Sequence, residues 1–320
     1  MRGPVVFLVA ASILLVSGTA RAPLSNSMEP PAWSDGDLWV YRFNSTFEGT
    51  VFLNGTVRAE ILQVENRTVR GVPQDVFVVA TGGSGTLDGT FPILNVSLPA
   101  TGSWNLTGEQ LFTTTSRKVV KNLIDITASG QVGILNVPFT LLWTNSTSSR
   151  VVRDDWRYPV PTNFTGAVAL NTSIAENVIF RFDNVSRTVN ASLEAEVSYS
   201  ATLAAKSMAT VPAGTFETFV IRESWPDGSE ERFDYAPAAG NNARTQTFNS
   251  TGSEVSRTEL VSFRYRAGEP PTGFPVIVAV VAIAIVAAVV VPSIWLLARR
   301  RTREREFTPP SLREPPTSGP

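Results

Sequence analysis

The sequence predicts an all-β fold, an antiparallel sheet or sandwich, for most of the 320-residue chain. Between residues 37 and 263 the apolar residues alternate with polar ones or form short runs rich in Val, Ile, Phe and Thr, as at 38–43 and 216–221. Turn signals such as Asp227-Gly228 separate these runs. Short alternating runs with turns between them are typical of antiparallel strands, so the pattern itself indicates the fold class.

The first element in chain order is a predicted secretory signal peptide over residues 1–22. Arg2 precedes an apolar run at 5–16, and the small residues Ala20 and Ala22 offer cleavage sites. A positive start, a short apolar core and a small-x-small site are the three parts of such a signal. An uncleaved anchor is the alternative, but this run is short for a membrane span.

The exterior part is predicted to consist of two β halves, residues 30–150 and 151–268, related by duplication. Segments of the first half recur in the same order 136 to 140 residues later in the second. The pairs are 38–44 with 177–183, 54–61 with 190–197, 72–79 with 211–221, and 116–117 with 256–257. A nearly constant offset favours duplication; the alternative is that any two antiparallel meanders share alternating patterns.

The most recognisable strings are TVPAGTF at 210–216 and FDYAP at 233–237, followed by Gly240. Together with GDLWVY at 36–41, they resemble a strand entry and hairpin found in exported β-rich cell-envelope proteins of the DUF3108-like family. The resemblance implies an envelope location and a curved antiparallel sheet, and it implies no catalytic residues. The chain departs from the family pattern at 242–244, where an apolar strand normally follows.

Residues 276–298 form a predicted transmembrane helix. These 23 residues carry no charge, and at about 1.5 Å per residue they cover a hydrocarbon core of about 30 Å. The arginines between 299 and 305 place the following side in the cytoplasm and disfavour the alternative, a buried core helix. The tail at 299–320 is rich in proline and polar residues, so we expect it to be disordered. The predicted topology is single-pass, type I.

Acceptor motifs for N-glycosylation, Asn-x-Ser/Thr, are abundant between the two hydrophobic segments and absent outside them. The eleven acceptors are Asn44, Asn54, Asn66, Asn95, Asn105, Asn145, Asn163, Asn171, Asn184, Asn190 and Asn249. With about a fifth of the residues Ser or Thr, the seventeen Asn would give about three or four by chance. A glycan is added only where a transferase reaches the chain, so the motifs predict an extracellular domain.

Composition removes several function classes. The chain has no Cys and no His, which excludes disulfides, Ser-His-Asp and Cys-His catalysis, and His-ligated zinc. Without the predicted signal and tail, 19 basic and 25 acidic residues remain, a net charge near −6 that disfavours nucleic acid as a ligand. Dense acceptors, no Cys, and 24 Arg against 3 Lys together favour an archaeal cell-surface protein.

Carboxylates cluster in three places in the sequence, where they are candidates for glycosidase catalysis or calcium binding. They are Asp35 and Asp37; Asp154 and Asp155; and Glu223, Asp227, Glu230, Glu231 and Asp234. A glycosidase needs two carboxylates at a fixed separation, and the spacing here does not demonstrate one. Binding of calcium is the other use that such carboxylates could have, but Asp35 and Asp37 lack the series of ligands that an EF-hand loop carries. We therefore expect no catalytic residue, no metal site and no cofactor.

Tryptophans are the remaining candidates for contacts with sugars or lipids. The candidates are Trp33, Trp39, Trp104, Trp143, Trp156 and Trp225. Trp39 lies in an alternating run and is expected in the core, whereas Trp33, Trp104 and Trp225 adjoin polar or turn residues and are expected to be partly exposed. For each, packing is favoured over ligand binding.

These observations predict a glycosylated, membrane-anchored surface protein whose β ectodomain is a binding or structural envelope module. Its expected partners are the membrane and surface-layer components, envelope components or glycans, without nucleic acid. One alternative is a carboxylate-based hydrolase of extracellular polysaccharide, which needs carboxylates converging in a cleft. Another is a carrier of lipid or another apolar ligand, which needs an apolar cavity.

Overall fold

The computed structural model describes residues 26–47, 50–93, 96–183 and 185–265. The described residues form β-strands joined by turns. Among them, no helix is long and apolar enough to cross a membrane. The predicted signal peptide (1–22), transmembrane helix (276–298) and tail (299–320) lie outside the described residues.

The strands follow one another through mostly short turns. In chain order they are β1 Ser27–Met28, β2 Leu38–Phe47, β3 Val51–Val69, β4 Val72–Ile93, β5 Val96–Thr113, β6 Val119–Val132, β7 Val137–Asp154, β8 Val160–Pro161, β9 Thr165–Phe182, β10 Val185–Val211, β11 Gly214–Ser224, β12 Glu230–Ala236, β13 Asn241–Phe248 and β14 Glu254–Arg264. Their alternating burial, as in β6, follows the alternation of apolar and polar residues in the sequence.

Twelve of the strands form one closed antiparallel barrel. The order is β10-β11-β12-β13-β14-β2-β3-β4-β5-β6-β7-β9, and β9 pairs with β10 to close it. The short β1 and β8 form a separate two-stranded sheet. The predicted all-β, antiparallel fold is confirmed, but the sandwich is wrong. Pairing of β14 with β2 joins the two ends of the meander, so a single continuous sheet wraps round where two separate sheets were expected.

Glycines allow β3, β4 and β5 to curve tightly at one point of the barrel. Gly55 pairs with Gly85, and Gly85 pairs with Trp104 on the next strand. A Cβ on Gly55 would lie 2.7 Å from Cζ2 of Trp104, so the bare backbone makes room for the indole ring. Trp104 is 3 % exposed and its Nε1 donates to the Thr86 carbonyl at 3.1 Å. The expectation that Trp104 is partly exposed is therefore wrong.

Three large apolar clusters stabilise the barrel. Their central members are Trp39, Tyr41, Phe77 and Phe112 in the first; Trp156, Leu203, Phe219 and Phe233 in the second; and Phe43, Trp104, Ile124 and Phe139 in the third. Each fully buried large side chain contributes about 1.5–3 kcal/mol relative to exposure to water. A group of buried ionisable side chains lies against the second cluster.

The strings that carry the family resemblance meet in the structure. Trp33, which precedes β2, donates from Nε1 to the Gly240 carbonyl at 2.8 Å. Trp39 on β2 donates from Nε1 to the Ala239 carbonyl at 2.7 Å. Trp33 is 5 % exposed, contrary to the expected partial exposure, because its indole N–H finds this carbonyl acceptor. The conspicuous aromatic residues here are structural.

The two predicted halves contribute to a single barrel. The matched segments lie in β2 and β9, in β3 and β10, and in β4 and β11, and each trio of strands is paired consecutively. The boundary between 150 and 151 lies within β7, whose residues pair with β6 and β9. A duplication of the sequence stays a prediction.

Candidate functional site

A group of ionisable side chains is buried at one end of the barrel. This buried ionisable cluster comprises Lys118, Asp154, Tyr199, Glu223 and Glu231, each at most 9 % exposed. Lys118 precedes β6, and the other four come from β7, β10, β11 and β12. They come from well-separated parts of the chain, and the pairing of β6, β7, β9, β10, β11 and β12 in one continuous sheet brings them together.

Hydrogen bonds fix most members of the cluster. Lys118 Nζ lies 3.4 Å from Tyr199 Oη and 5.6 Å from the centre of the Tyr199 ring. Thr247 Oγ1 donates to Glu231 at 3.1 Å. Glu223 lies directly opposite Glu231 in the pairing of β11 with β12, so the two carboxyl groups share one face of the sheet.

Burial changes the acidity of both glutamates. Loss of water raises the pKa of Glu223 to about 7; the Lys118 charge opposes the rise, and the Asp154 charge adds to it. Burial also raises the pKa of Glu231 well above its usual range, with a further contribution from the charge of Glu223. Both carboxyl groups therefore lose their protons at higher pH than an exposed glutamate does.

A groove lies on the outer surface next to this cluster. Its floor is made of small residues on three adjacent strands, Ala167 and Ala169 of β9, Ser198 and Ser200 of β10, and Ser224 of β11. Arg153, Glu196 and Trp225 are among the other lining residues, and the volume is about 660 Å³. We call this the outer groove. Small floor residues beside larger lining residues leave a depression in an otherwise regular sheet surface.

Tyr199 connects the outer groove with the buried ionisable cluster. It lines the groove, and its ring centroid lies 4.7 Å from that of Trp225 at an interplanar angle of 36°. Its hydroxyl is the one near Lys118. Trp225 is half-buried, so of the three tryptophans expected to be partly exposed, it alone is confirmed.

A second depression, the Arg70 cleft, continues the outer groove. Arg70, Arg150 and Asn171 line it, and its volume is about 440 Å³. Arg70 lies at the turn between β3 and β4 and donates to Glu194 at 2.7 and 3.2 Å. Asn171 pairs with Arg150 on one side and with Glu196 on the other. Because Glu196 lines the outer groove, the two depressions are neighbours on the same face.

The structure places the acceptor asparagines in different environments. Asn54, Asn66, Asn105, Asn163 and Asn190 are exposed; Asn44, Asn171 and Asn249 are half-buried; Asn95 and Asn184 lie outside the described residues. Asn145 is 1 % exposed and donates from Nδ2 to Glu176 at 3.0 Å. In the folded barrel a transferase cannot reach Asn145. Glycosylation itself stays a prediction.

Only some of the carboxylates considered in the sequence come together. Asp154, Glu223 and Glu231 join the buried ionisable cluster, whereas Asp155 pairs with Arg153 on the surface and Asp234 pairs with Arg244 at 2.5 Å. Asp35, Asp37, Asp227 and Glu230 lie outside the cluster. Among the described residues, no group of three or more Asp or Glu side chains is arranged to hold a metal ion.

Sequence reasoning missed Lys118 and Tyr199. One signal was available for the lysine, since Arg117 and Lys118 adjoin directly before an apolar run and Lys occurs only three times in the chain. Tyr199 gives no such signal, because alternation indicates a strand but not which face meets a charged group.

Comparison with known proteins returns no match: no family model, no curated protein and no solved structure corresponds to this chain.

Proposed function

We propose that this protein is a membrane-anchored, glycosylated cell-surface module that binds saccharide chains in the outer groove. The observation that carries the proposal is the groove itself, an open depression of about 660 Å³ lined by Trp225 and by Ser198, Ser200 and Ser224. Binding sites for small ligands combine aromatic surface with a few placed polar groups in this size range. An aromatic ring contacts the apolar face of a sugar, while hydroxyl groups exchange hydrogen bonds at its edge.

The charges of the groove favour a neutral, hydroxyl-rich ligand. Arg153 at the rim is paired with Asp155 at 2.6 Å, and Glu196 adds one further carboxylate. The side chains of Ser198, Ser200 and Ser224 each supply a donor and an acceptor on the floor. The groove therefore offers many hydrogen bonds without an excess of positive charge.

The predicted topology supports the location of such a module. A signal peptide, a single membrane span and a following arginine cluster would hold the barrel outside the cell. There its ligands would be envelope glycans or glycosylated surface-layer components.

Binding is tested with the full-length protein in lipid nanodiscs, made in a host without N-glycosylation. Calorimetric titration with cello- and chito-oligosaccharides is compared for the wild type, Trp225→Ala and Phe52→Ala. Phe52 is 48 % exposed on β3 and is not part of the groove, so its variant is the matched control. We expect Trp225→Ala to weaken binding about tenfold or more, since losing a central aromatic contact costs about 2 kcal/mol. Equal affinities for all three proteins, or no binding at all, would refute the proposal.

The buried carboxylates favour a second candidate function, a carboxylate-based polysaccharide hydrolase. Asp154 and Glu223 come together under Tyr199, and Glu223 has the raised pKa that a general acid requires. At 9 % and 3 % exposure, however, both lie below the floor of the groove. Release of reducing ends from the same oligosaccharides, abolished in Glu223→Gln but not in Glu217→Gln, would establish hydrolysis.

A carrier of apolar ligands has no comparable support. In the described part of the chain, apolar side chains pack into three large clusters, and the outer groove and the Arg70 cleft open at the surface.

A further inference from the structure

One acceptor asparagine lies where the outer groove meets the Arg70 cleft. Asn171 lines the cleft, and its cross-strand neighbour Glu196 lines the groove. Of the acceptors that the structure describes, Asn171 alone lines either depression. A glycan attached to any of the others starts elsewhere on the surface.

The Asn171 side chain is held in one orientation. Arg70 Nη2 donates to its Oδ1 at 3.2 Å, and Arg70 is itself held by two hydrogen bonds to Glu194. An arginine can only donate, so the amide oxygen must face Arg70 and the amide nitrogen must point away from it. That nitrogen is the atom to which a glycan would be attached. A sugar at Asn171 would therefore leave the protein in a fixed direction.

The length and volume of the outer groove fit a short glycan attached to Asn171. From Glu196, beside Asn171, to Ser200 the strand advances four residues, about 14 Å at 3.4 Å per residue. A short oligosaccharide covers that length. Volumes of about 440 and 660 Å³ are each in the range of a bound small ligand.

We propose that the glycan attached to Asn171 folds back into the outer groove of the same molecule and rests against Trp225. This inference rests on the proposed saccharide-binding function, because the same groove, with Trp225 and the serines among its lining residues, holds the attached chain. Free saccharides then bind only when that glycan is absent, so glycosylation at one position sets the availability of the groove.

Four substitutions separate the effect of this glycan from other effects. Ser173→Ala destroys the acceptor motif and keeps Asn171, but it also removes a hydroxyl that bonds to Glu194, whereas Ser173→Thr keeps both the motif and a hydroxyl. Ser192→Ala removes the acceptor Asn190, which is exposed and lines neither depression. Asn171→Gln provides a second route to the unglycosylated state. All are made as full-length protein in a host that glycosylates.

Mass spectrometry of occupancy, combined with hydroxyl-radical footprinting of Trp225, tests the proposal directly. We expect Trp225 to oxidise several-fold faster in Ser173→Ala and Asn171→Gln than in the wild type, Ser173→Thr or Ser192→Ala. Affinity for chito-oligosaccharides should rise about tenfold in the same two variants. An unmodified Asn171 in the wild type, or equal Trp225 oxidation in all proteins, would refute the proposal that the Asn171 glycan occupies the outer groove. Protection of Trp225 without saccharide binding by any variant would instead overturn the proposed function.

Discussion

The burial of Glu223 makes the stability of the barrel depend on pH in a specific direction. The pKa of this carboxyl rises from an ordinary 4.5 to about 7 in the folded protein. The folded state therefore holds the proton more tightly than the unfolded state. Its contribution to the free energy of unfolding is fully present below pH 4.5 and is lost as the pH rises through 7.

The size of the effect follows from the same two values. Each unit of pKa corresponds to about 1.4 kcal/mol, so ionising the buried carboxyl lowers the free energy of unfolding by about 3 kcal/mol. This figure already includes the attraction of Lys118. Glu231 changes stability in the same direction at higher pH, because its pKa is also raised.

Glu223→Gln replaces the acid with an uncharged group of the same shape. We expect the variant to have a stability close to the wild type at pH 4, and to exceed it by up to about 3 kcal/mol at pH 8.5. Urea unfolding of the full-length protein, followed by tryptophan fluorescence at a series of pH values, measures the difference. Glu217→Gln, which removes a partly exposed carboxyl from the same strand, is the control. A variant that loses as much stability at pH 8.5 as at pH 4, or that keeps the wild-type pH slope, would refute the reasoning.

Two further substitutions test the interior and the curvature of the barrel. Asn145→Ala leaves the buried carboxyl of Glu176 without its donor at 3.0 Å, so we expect a loss of about 1–3 kcal/mol in urea unfolding, against less than about 0.5 kcal/mol for exposed Asn54→Ala. Gly85→Ala would place a Cβ 1.9 Å from a backbone carbonyl, so we expect a fall in thermal midpoint equivalent to about 1–3 kcal/mol or more. In Gly82→Ala the nearest atom is 3.8 Å away, and a midpoint that falls equally in both alanine variants would contradict this explanation.

The sequence predicted the strands well but not how the sheet closes. The alternation of apolar and polar residues at 216–221 indicates a strand with two different faces, and β11 lies there as expected. It carries no information about partners. Pairing of Tyr41 with Leu260 joins strands from opposite ends of the meander, and no local pattern encodes that contact. Local patterns alone therefore predict a sheet or sandwich and not the closed barrel.

The candidate site was predicted only in part, for a related reason. Asp154 belongs to one acidic cluster of the sequence and Glu223 and Glu231 to another, and their proximity in space depends on β7, β11 and β12 lying round one barrel. Tyr199 and Trp225 pack against each other through the pairing of β10 with β11. The local composition around Trp225, with Pro226 and Asp227 following, did correctly indicate partial exposure.

Closure of the barrel between β14 and β2 has a consequence for how the chain folds as it is made. Arg42 and Glu259, which form an ion pair across this seam, are 217 residues apart in sequence. Until β14 emerges, β2 presents a row of unpaired backbone groups, and such an edge pairs readily with other chains. Contacts this distant in sequence also form slowly, on the order of milliseconds to seconds even in small domains. A newly made molecule must therefore keep one edge protected for most of its synthesis, and β2 is where aggregation would begin.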